Sequence, residues 1–270
     1  MIRDGLSLAR LFRRQRRIEV KSAGELEAMR EAGLLVARTL RLVTEHAGPG
    51  VSTAELDELA EQTIAEVGAV PSFKGYHGFP ASICASVNEQ IVHGIPSSQR
   101  VLADGDLLSV DCGAIVEGWH GDAAVTLCIG EVSAADRALS DATRAAMLAG
   151  LDAAAPGSRL SDISHAVQQE AERVGPGYGM LTEYGGHGIG TRMHMEPFVS
   201  NVGPPGKGPR LVPGMALAIE PMLTGGSADS IELDDGWTVV TADGSRAAHW
   251  EHTVAVTEDG PWVLTAPESE

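Results

Sequence analysis

The sequence is short of cysteine, of basic residues and of long apolar runs, and each shortage removes a class of protein. Cys84, Cys112 and Cys128 show no CxxC or paired spacing. Neither a disulfide framework nor a cysteine zinc site is therefore signalled, and a reducing, cytoplasmic setting is expected. No apolar run approaches the roughly 18 residues of a membrane-spanning helix. The opening stretch MIRDGLSLARLFRRQRRIEV has arginines where a signal peptide needs its apolar core, so export is not expected either. The 32 Gly and 14 Pro are scattered without period, which excludes collagen-like and low-complexity chains. Lys and Arg number 20 against 37 Asp and Glu, a formal charge of −17. Such a chain repels phosphate backbones, so no DNA partner is expected, and it suits a cationic substrate or a metal.

With 43% apolar residues over 270 positions, the chain can build a genuine core in one large or two small domains. Five arginines between Arg10 and Arg17 stand out in this acidic background. They read either as a solvated terminus or as an anchor for ribosomal RNA or another polyanion. Ser22 with Glu25, and Ser52 with Glu55, are capping-box pairs. The first opens a helix carrying Leu26, Met29, Leu40 and Val43 up to His46-Ala47-Gly48-Pro49-Gly50. The second opens one carrying Leu56, Leu59 and Ile64 up to about Gly68. Ala-rich periodicity predicts two more helices, over 134–153 and 161–174. Between and after them the period changes to that of strands: an apolar strand ending at Asp111, then Ala114 to Ile129, Met215 to Met222, Thr238 to Thr241, Ala248 to Val256 and Trp262 to Leu264. Helices followed by strands, twice over, predict an α+β fold.

Four carboxylates fall where apolar strands should be: Asp111, Asp122, Glu220 and Glu251. A carboxylate inside a sheet costs several kcal/mol, of order, unless a cation compensates it. Each taken singly reads equally well as a turn or cap residue; together they ask for a shared cation. His187 sits in Gly185-Gly186-His187-Gly188-Ile189-Gly190, where bare neighbours leave the imidazole accessible and the backbone free to bend. Oxygen-rich ligation with one nitrogen suits divalent Mn, Fe, Co or Zn, and several carboxylates can bridge two ions. The reaction class this predicts is hydrolysis by metal-activated water.

Seven segments resemble the type I methionine aminopeptidases in order and spacing, across Ile18 to Leu264. They are Tyr76-His77-Gly78-Phe79-Pro80; Ser86-Val87-Asn88-Glu89 with His93-Gly94-Ile95-Pro96; Asp111 to Asp122; Gly186-His187-Gly188-Ile189-Gly190; Ala218-Ile219-Glu220-Pro221-Met222; Asp235-Gly236-Trp237-Thr238-Val239; and Glu251-His252-Thr253. The resemblance implies the pita-bread fold, a pseudo-twofold antiparallel sheet with helices outside and a dinuclear centre inside. With the basic stretch lying ahead of it, this predicts an N-terminal extension over 1–17 and a single catalytic domain over 18–270. By the family's arrangement Asp111 chelates one metal, His187 and Glu220 bind the other, and Asp122 and Glu251 bridge them around a hydroxide nucleophile. Glu220 would also shuttle the proton towards the leaving amine. His194 would contact the carbonyl oxygen and His93 the scissile amide.

The same resemblance puts Phe73, Tyr76, Phe79, Cys84, His93, Met193, His194 and Trp237 around the substrate, with aromatic and sulfur-bearing walls suited to a thioether. It implies N-terminal methionyl peptides with a small second residue as substrates, nascent chains at the ribosome as their source, and a monovalent cation near Val87-Asn88-Glu89. Ala123-Ala124 stand where many relatives carry hydroxyl residues, and Met195 where an acidic residue is common; neither change removes a ligand. The 26-residue step from His194 to Glu220 leaves no room for the helical insertion of type II enzymes. Two other readings remain at this stage: a prolidase or aminopeptidase P, and a non-catalytic pita-bread protein that binds a partner.

Overall fold

The computed structural model describes residues 18–266; the Arg10–Arg17 cluster lies outside the described residues. Helices α1 (Ala23–His46) and α2 (Thr53–Ala65) open the first half, each started by the expected capping box. Strands β1 (Val70–Pro71), β2 (Ile83–Val87), β3 (Gln90–Val92), β4 (Leu107–Val116) and β5 (Trp119–Cys128) follow. The second half repeats the plan with α3 (Ala134–Ala153) and α4 (Leu160–Val174). After them come β6 (Gly179–Met180), β7 (Gly186–Gly188), β8 (Met195–Val199), β9 (Ala216–Ile219) and β10 (Met222–Thr224). The chain closes with β11 (Ser230–Glu232), β12 (Val239–Thr241), β13 (Ala247–His249), β14 (Glu251–Thr257) and β15 (Gly260–Val263).

Nine strands form the main sheet in the order β1-β4-β5-β14-β9-β7-β8, with β2 on β4 and β15 on β14, and every pairing is antiparallel. Helices α1 and α2 pack Leu35, Val36, Leu56 and Ile64 against Val110, Cys112, Ala114 and Ala123. Helices α3 and α4 do the same with Leu139, Met147, Ile163 and Val167 against Leu217, Ile219, Val254 and Val256. These sheet residues share one parity of the pleat, so all four helices cover one face and leave the other to polar side chains. No helix among the described residues is long and apolar enough to cross a membrane.

The strand boundaries differ from expectation in three places. Asp111 lies in the middle of β4 and does not end it. The stretch from Met215 to Met222 is two strands separated by Glu220 and Pro221, and Ala248 to Val256 is two separated by Trp250. Pro221 has no N–H for a ladder; at Glu220-Pro221 the chain leaves the main sheet for the small β13-β10-β6 sheet, and at Trp250 it returns from that sheet to the main one.

Candidate active site

Register decides which side chains meet. β4 and β5 are joined by the two-residue loop Glu117-Gly118, both with positive φ (49° and 86°), the turn that matches strand twist. The pairing this fixes sets Asp111 opposite Ala124, and Glu251 on β14 pairs with Ala124 from the other side. Asp122 lies two residues along β5 from Ala124, on the same face. β9 delivers Ala218 opposite both Thr253 and His187, so His187 joins the face and Glu220, two residues beyond Ala218, follows at the strand's end. The interleaved Gly113, Ala124, Ala218 and Thr253 are small, which leaves room above the sheet.

Beyond Ala124 the β5–β14 ladder gives way on each side to a threonine hydroxyl. Thr253 Oγ1 accepts the Asp122 N–H (3.2 Å) and donates to the Asp122 carbonyl (2.8 Å). On the other side, Thr126 Oγ1 accepts the His249 N–H (3.0 Å) and donates to the His249 carbonyl (2.7 Å). Glu220 is held in its break by Asn201, whose Nδ2 donates to the Glu220 carbonyl (3.3 Å) and to that of Tyr184 (3.4 Å).

The glycines around His187 answer to packing more than to bending. A Cβ at Gly186 would lie 2.1 Å from the Ala218 carbonyl oxygen and one at Gly188 2.2 Å from that of Glu196, so only glycine lets β7 fit between β9 and β8. His187 Nδ1 lies 3.0 Å from the Gly188 carbonyl. A proton there leaves the Nε2 lone pair facing Glu220 Oε1 at 3.5 Å and Asp122 Oδ2 at 3.9 Å.

Burial pushes the Asp111 carboxyl up to about 7 and those of Asp122, Glu220 and Glu251 well above the usual range, with the neighbouring carboxylates adding to the last three. Desolvation takes His187 and His249 down to about 3, so both are neutral imidazoles. Among the described residues no Lys or Arg forms an ion pair with any of the four carboxylates. Of the eight buried side-chain polar atoms without a hydrogen bond among the described residues, four are Asp111 Oδ1, Asp122 Oδ1, Glu251 Oε1 and His249 Nε2. Three orphaned carboxylate oxygens clustered around the neutral imidazole of His187 are a donor set for a divalent metal. Asp122, His187 and Glu251 bring one donor atom each within 4.8 Å of one another, and so do Glu220, His249 and Glu251.

One cavity of about 240 Å³ collects Asp111, Asp122, His187, Glu220 and Glu251 on its floor with all eight substrate candidates on its walls. Phe73, Phe79, Cys84 and Met193 are buried together as an apolar cluster, with Tyr76 and Trp237 partly exposed beside them. Trp237 is presented by Asp235, whose carboxylate accepts the N–H groups of Trp237 (2.9 Å) and Thr238 (2.8 Å). His93 follows β3 with φ 59°, a left-handed conformation that turns its ring towards Tyr184 and Trp237, 5.9 and 6.4 Å away between ring centres. His194 Nδ1 lies 2.8 Å from the Tyr76 hydroxyl, and its ring meets that of His187 at 4.4 Å.

Sequence reasoning missed His249, Asn201, Tyr184 and Phe198, the last two lining the outer cavity. Alternation carried back from Glu251 would have put His249 on the metal face; the break at Trp250 hides it. Asn201 leaves no mark in the sequence, because it acts across a loop on backbone atoms.

Comparison with known proteins agrees with this geometry. The model of metallopeptidase family M24 matches residues 27–258. Methionine aminopeptidase 1 of Mycobacterium tuberculosis is 58% identical over 96% of this chain and 98% of its own length. Methionine aminopeptidase 1 of Bacillus subtilis is 52% identical over 91% and 98%. The crystal structure of methionine aminopeptidase from Rickettsia prowazekii superposes with a TM-score of 0.90 at 38% identity, over 93% of this chain and all of that one. The helix-covered antiparallel sheet is thus the pita-bread fold, its inner-face donors are those of a divalent-metal enzyme, and the chain belongs to metallopeptidase family M24.

Proposed function

We propose that this chain removes the N-terminal methionine from peptides and nascent proteins whose second residue is small. The observation that carries the reading is the meeting, in one cavity, of an oxygen-rich metal floor with a thioether-sized apolar wall. Relatives at 52–58% identity over nearly their full length are methionine aminopeptidases, which leaves the prolidase and non-catalytic readings less supported.

Asp111, Asp122, His187, Glu220 and Glu251 would hold two divalent ions of Mn, Fe, Co or Zn, whose four positive charges match the four carboxylates. When bound, such ions lower the pKa of water at the site and polarise the scissile carbonyl. Glu220, with one oxygen facing His187, is placed to take the water's proton and pass it to the leaving amine. His194, which lines the cavity with Tyr76 on its Nδ1, would steady charge developing on the carbonyl oxygen through Nε2. His93 would hold the scissile amide. Phe73, Phe79, Cys84, Met193 and Trp237 would enclose the methionine side chain. At Val87-Asn88-Glu89, the Asn88 and Glu89 carbonyls each already accept one backbone N–H, leaving second lone pairs for a monovalent cation. We place the activity in the cytoplasm, on chains emerging from the ribosome.

The test compares release of the first residue from Met-Ala-Ser and from Ala-Pro peptides by protein loaded in turn with Mn, Co, Fe and Zn. Methionine release with little action on Ala-Pro is expected; the reverse preference would reassign the enzyme to bonds preceding proline.

A further inference from the structure

Glu220 is bracketed by two histidines, one at each oxygen. Oε1 faces His187 Nε2 at 3.5 Å, and Oε2 faces His249 Nε2 at 3.7 Å. His249 lies within reach of Glu220 and Glu251 but does not line the cavity. It closes β13, pairs with Met222, and lies behind the carboxylate that the site needs most. Its residue is only 2% exposed, and its Nε2 is buried without a hydrogen-bond partner. Among the described residues, Glu220 is the one carboxylate with an oxygen within 4 Å of that nitrogen.

The backbone behind the ring is fixed unusually well. Thr126 and Ser109 both take the His249 N–H, at 3.0 and 3.2 Å, and Thr126 returns its own proton to the His249 carbonyl. Ser109 in turn lies 2.9 Å from Thr126 Oγ1. Three hydroxyl contacts on the backbone of this one residue, in a place where a ladder bond would suffice, aim the imidazole without consuming its ring nitrogens. A buried ring nitrogen left unpaired is costly, so the Glu220 carboxylate that faces it is its natural partner. A shift of about half an ångström brings the pair into hydrogen-bond range.

We propose that His249 is a positioning residue: its Nε2–H hydrogen-bonds Glu220 Oε2, so that Oε1 alone is committed to the metal floor beside His187. A carboxylate with both oxygens free can swing, chelate with both, or turn away; one tied at Oε2 keeps a single donor atom and a fixed direction for proton transfer. The proposal rests on the role assigned to Glu220.

The test uses the full-length protein in three variants: His249→Leu, which removes the donor; His249→Gln, whose amide N–H reaches a similar point; and Glu220→Ala as the control on the underlying reading. Metal affinity of the metal-free protein is measured by calorimetry, the Co-loaded protein by its visible absorption spectrum, folding by thermal melting, and turnover with Met-Ala-Ser. Outer-shell partners of metal ligands are typically worth about 10–100-fold in affinity or activity. H249L is expected to lose about that much in metal affinity and in kcat, with an altered Co spectrum, a cooperative melt and little change in KM. H249Q is expected to recover most of it and restore the spectrum. Wild-type affinity, spectrum and kcat in H249L would make His249 a structural filler and overturn the proposal. A loss in H249Q as deep as in H249L, with both variants folded, would overturn it in favour of direct ligation. Near-normal turnover in E220A would remove the reading of Glu220 itself, and the proposal with it.

Discussion

At the level of single residues, the site gathers four acids and keeps its imidazoles neutral. Water or a bulk dielectric cannot satisfy Asp122 and Glu251, which are 3% and 2% exposed, so their tolerance depends on a cation. It follows that Glu220→Gln should reduce methionine release by about 10²–10⁴-fold, the range for losing a positioned proton carrier, and His187→Ala should abolish most of it by removing the one nitrogen ligand, while both proteins still melt cooperatively. Peptide turnover and a thermal melt on the same preparations check this, and near-normal activity in either variant would disprove the assignment. His93→Ala should behave differently, because His93 belongs to the cavity wall. Turnover should drop with the metal content intact by elemental analysis. An emptied metal site would mean that His93 has been misread.

At the level of elements, the site depends on how closely α1 lies on β5. A Cβ on Gly121 would sit 2.7 Å from the Gly33 nitrogen and 2.8 Å from the Ala32 carbonyl carbon. Backbone therefore rests on backbone one residue before Asp122. Gly121→Ala should cost about 1–3 kcal/mol by overpacking, and because the strand must move outward it should also weaken metal binding. A lower melting temperature together with a weaker calorimetric affinity is the expected pair of results. An unchanged melt would show that α1 is not seated there.

The capping boxes at Ser22 and Ser52, and the buried stripe through Leu26, Met29, Leu40 and Val43, are legible in the sequence because they depend on residues three or four apart. The glycine contact is not. It joins residues 88 positions apart, and glycine at either place looks locally like a helix or strand weakness.

At the level of the whole molecule, the two helix-covered halves share one proton-and-metal equilibrium at the seam between β5 and β14. Burial pushes Asp111 up to about 7 and holds Asp122, Glu220 and Glu251 well above the usual carboxylate range, whereas His187 is pushed down to about 3 and is neutral near pH 7. Metal ligation needs the carboxylates ionised, so it must expel protons from them and none from His187. Apparent metal affinity should therefore fall as pH drops from 8 to 6, in a window set by the acids. Calorimetry in buffers of different ionisation heat should show net proton release at pH 6.5, and none would contradict the raised carboxylates. Chelation should also lower the melting temperature. Metal at a hundred times its Kd contributes about 2.7 kcal/mol to the folded state, and that contribution is lost with the ion.

What the sequence determined by itself was local or chemical: helix starts, strand parity, and the oddity of acids inside apolar strands, each a matter of neighbours or of desolvation cost. It therefore made Asp111, Asp122, His187, Glu220 and Glu251 visible as one candidate set. Tertiary structure alone decided which of their atoms face each other, since that follows from antiparallel register and from where strands leave the sheet. It alone brought His249 behind Glu220, Asn201 onto the Glu220 carbonyl, and Thr253 and Thr126 into the gaps of the β5–β14 ladder. The physical reason is that hydrogen bonds between distant residues leave no periodicity along the chain; they exist only once the pleat has set the distance.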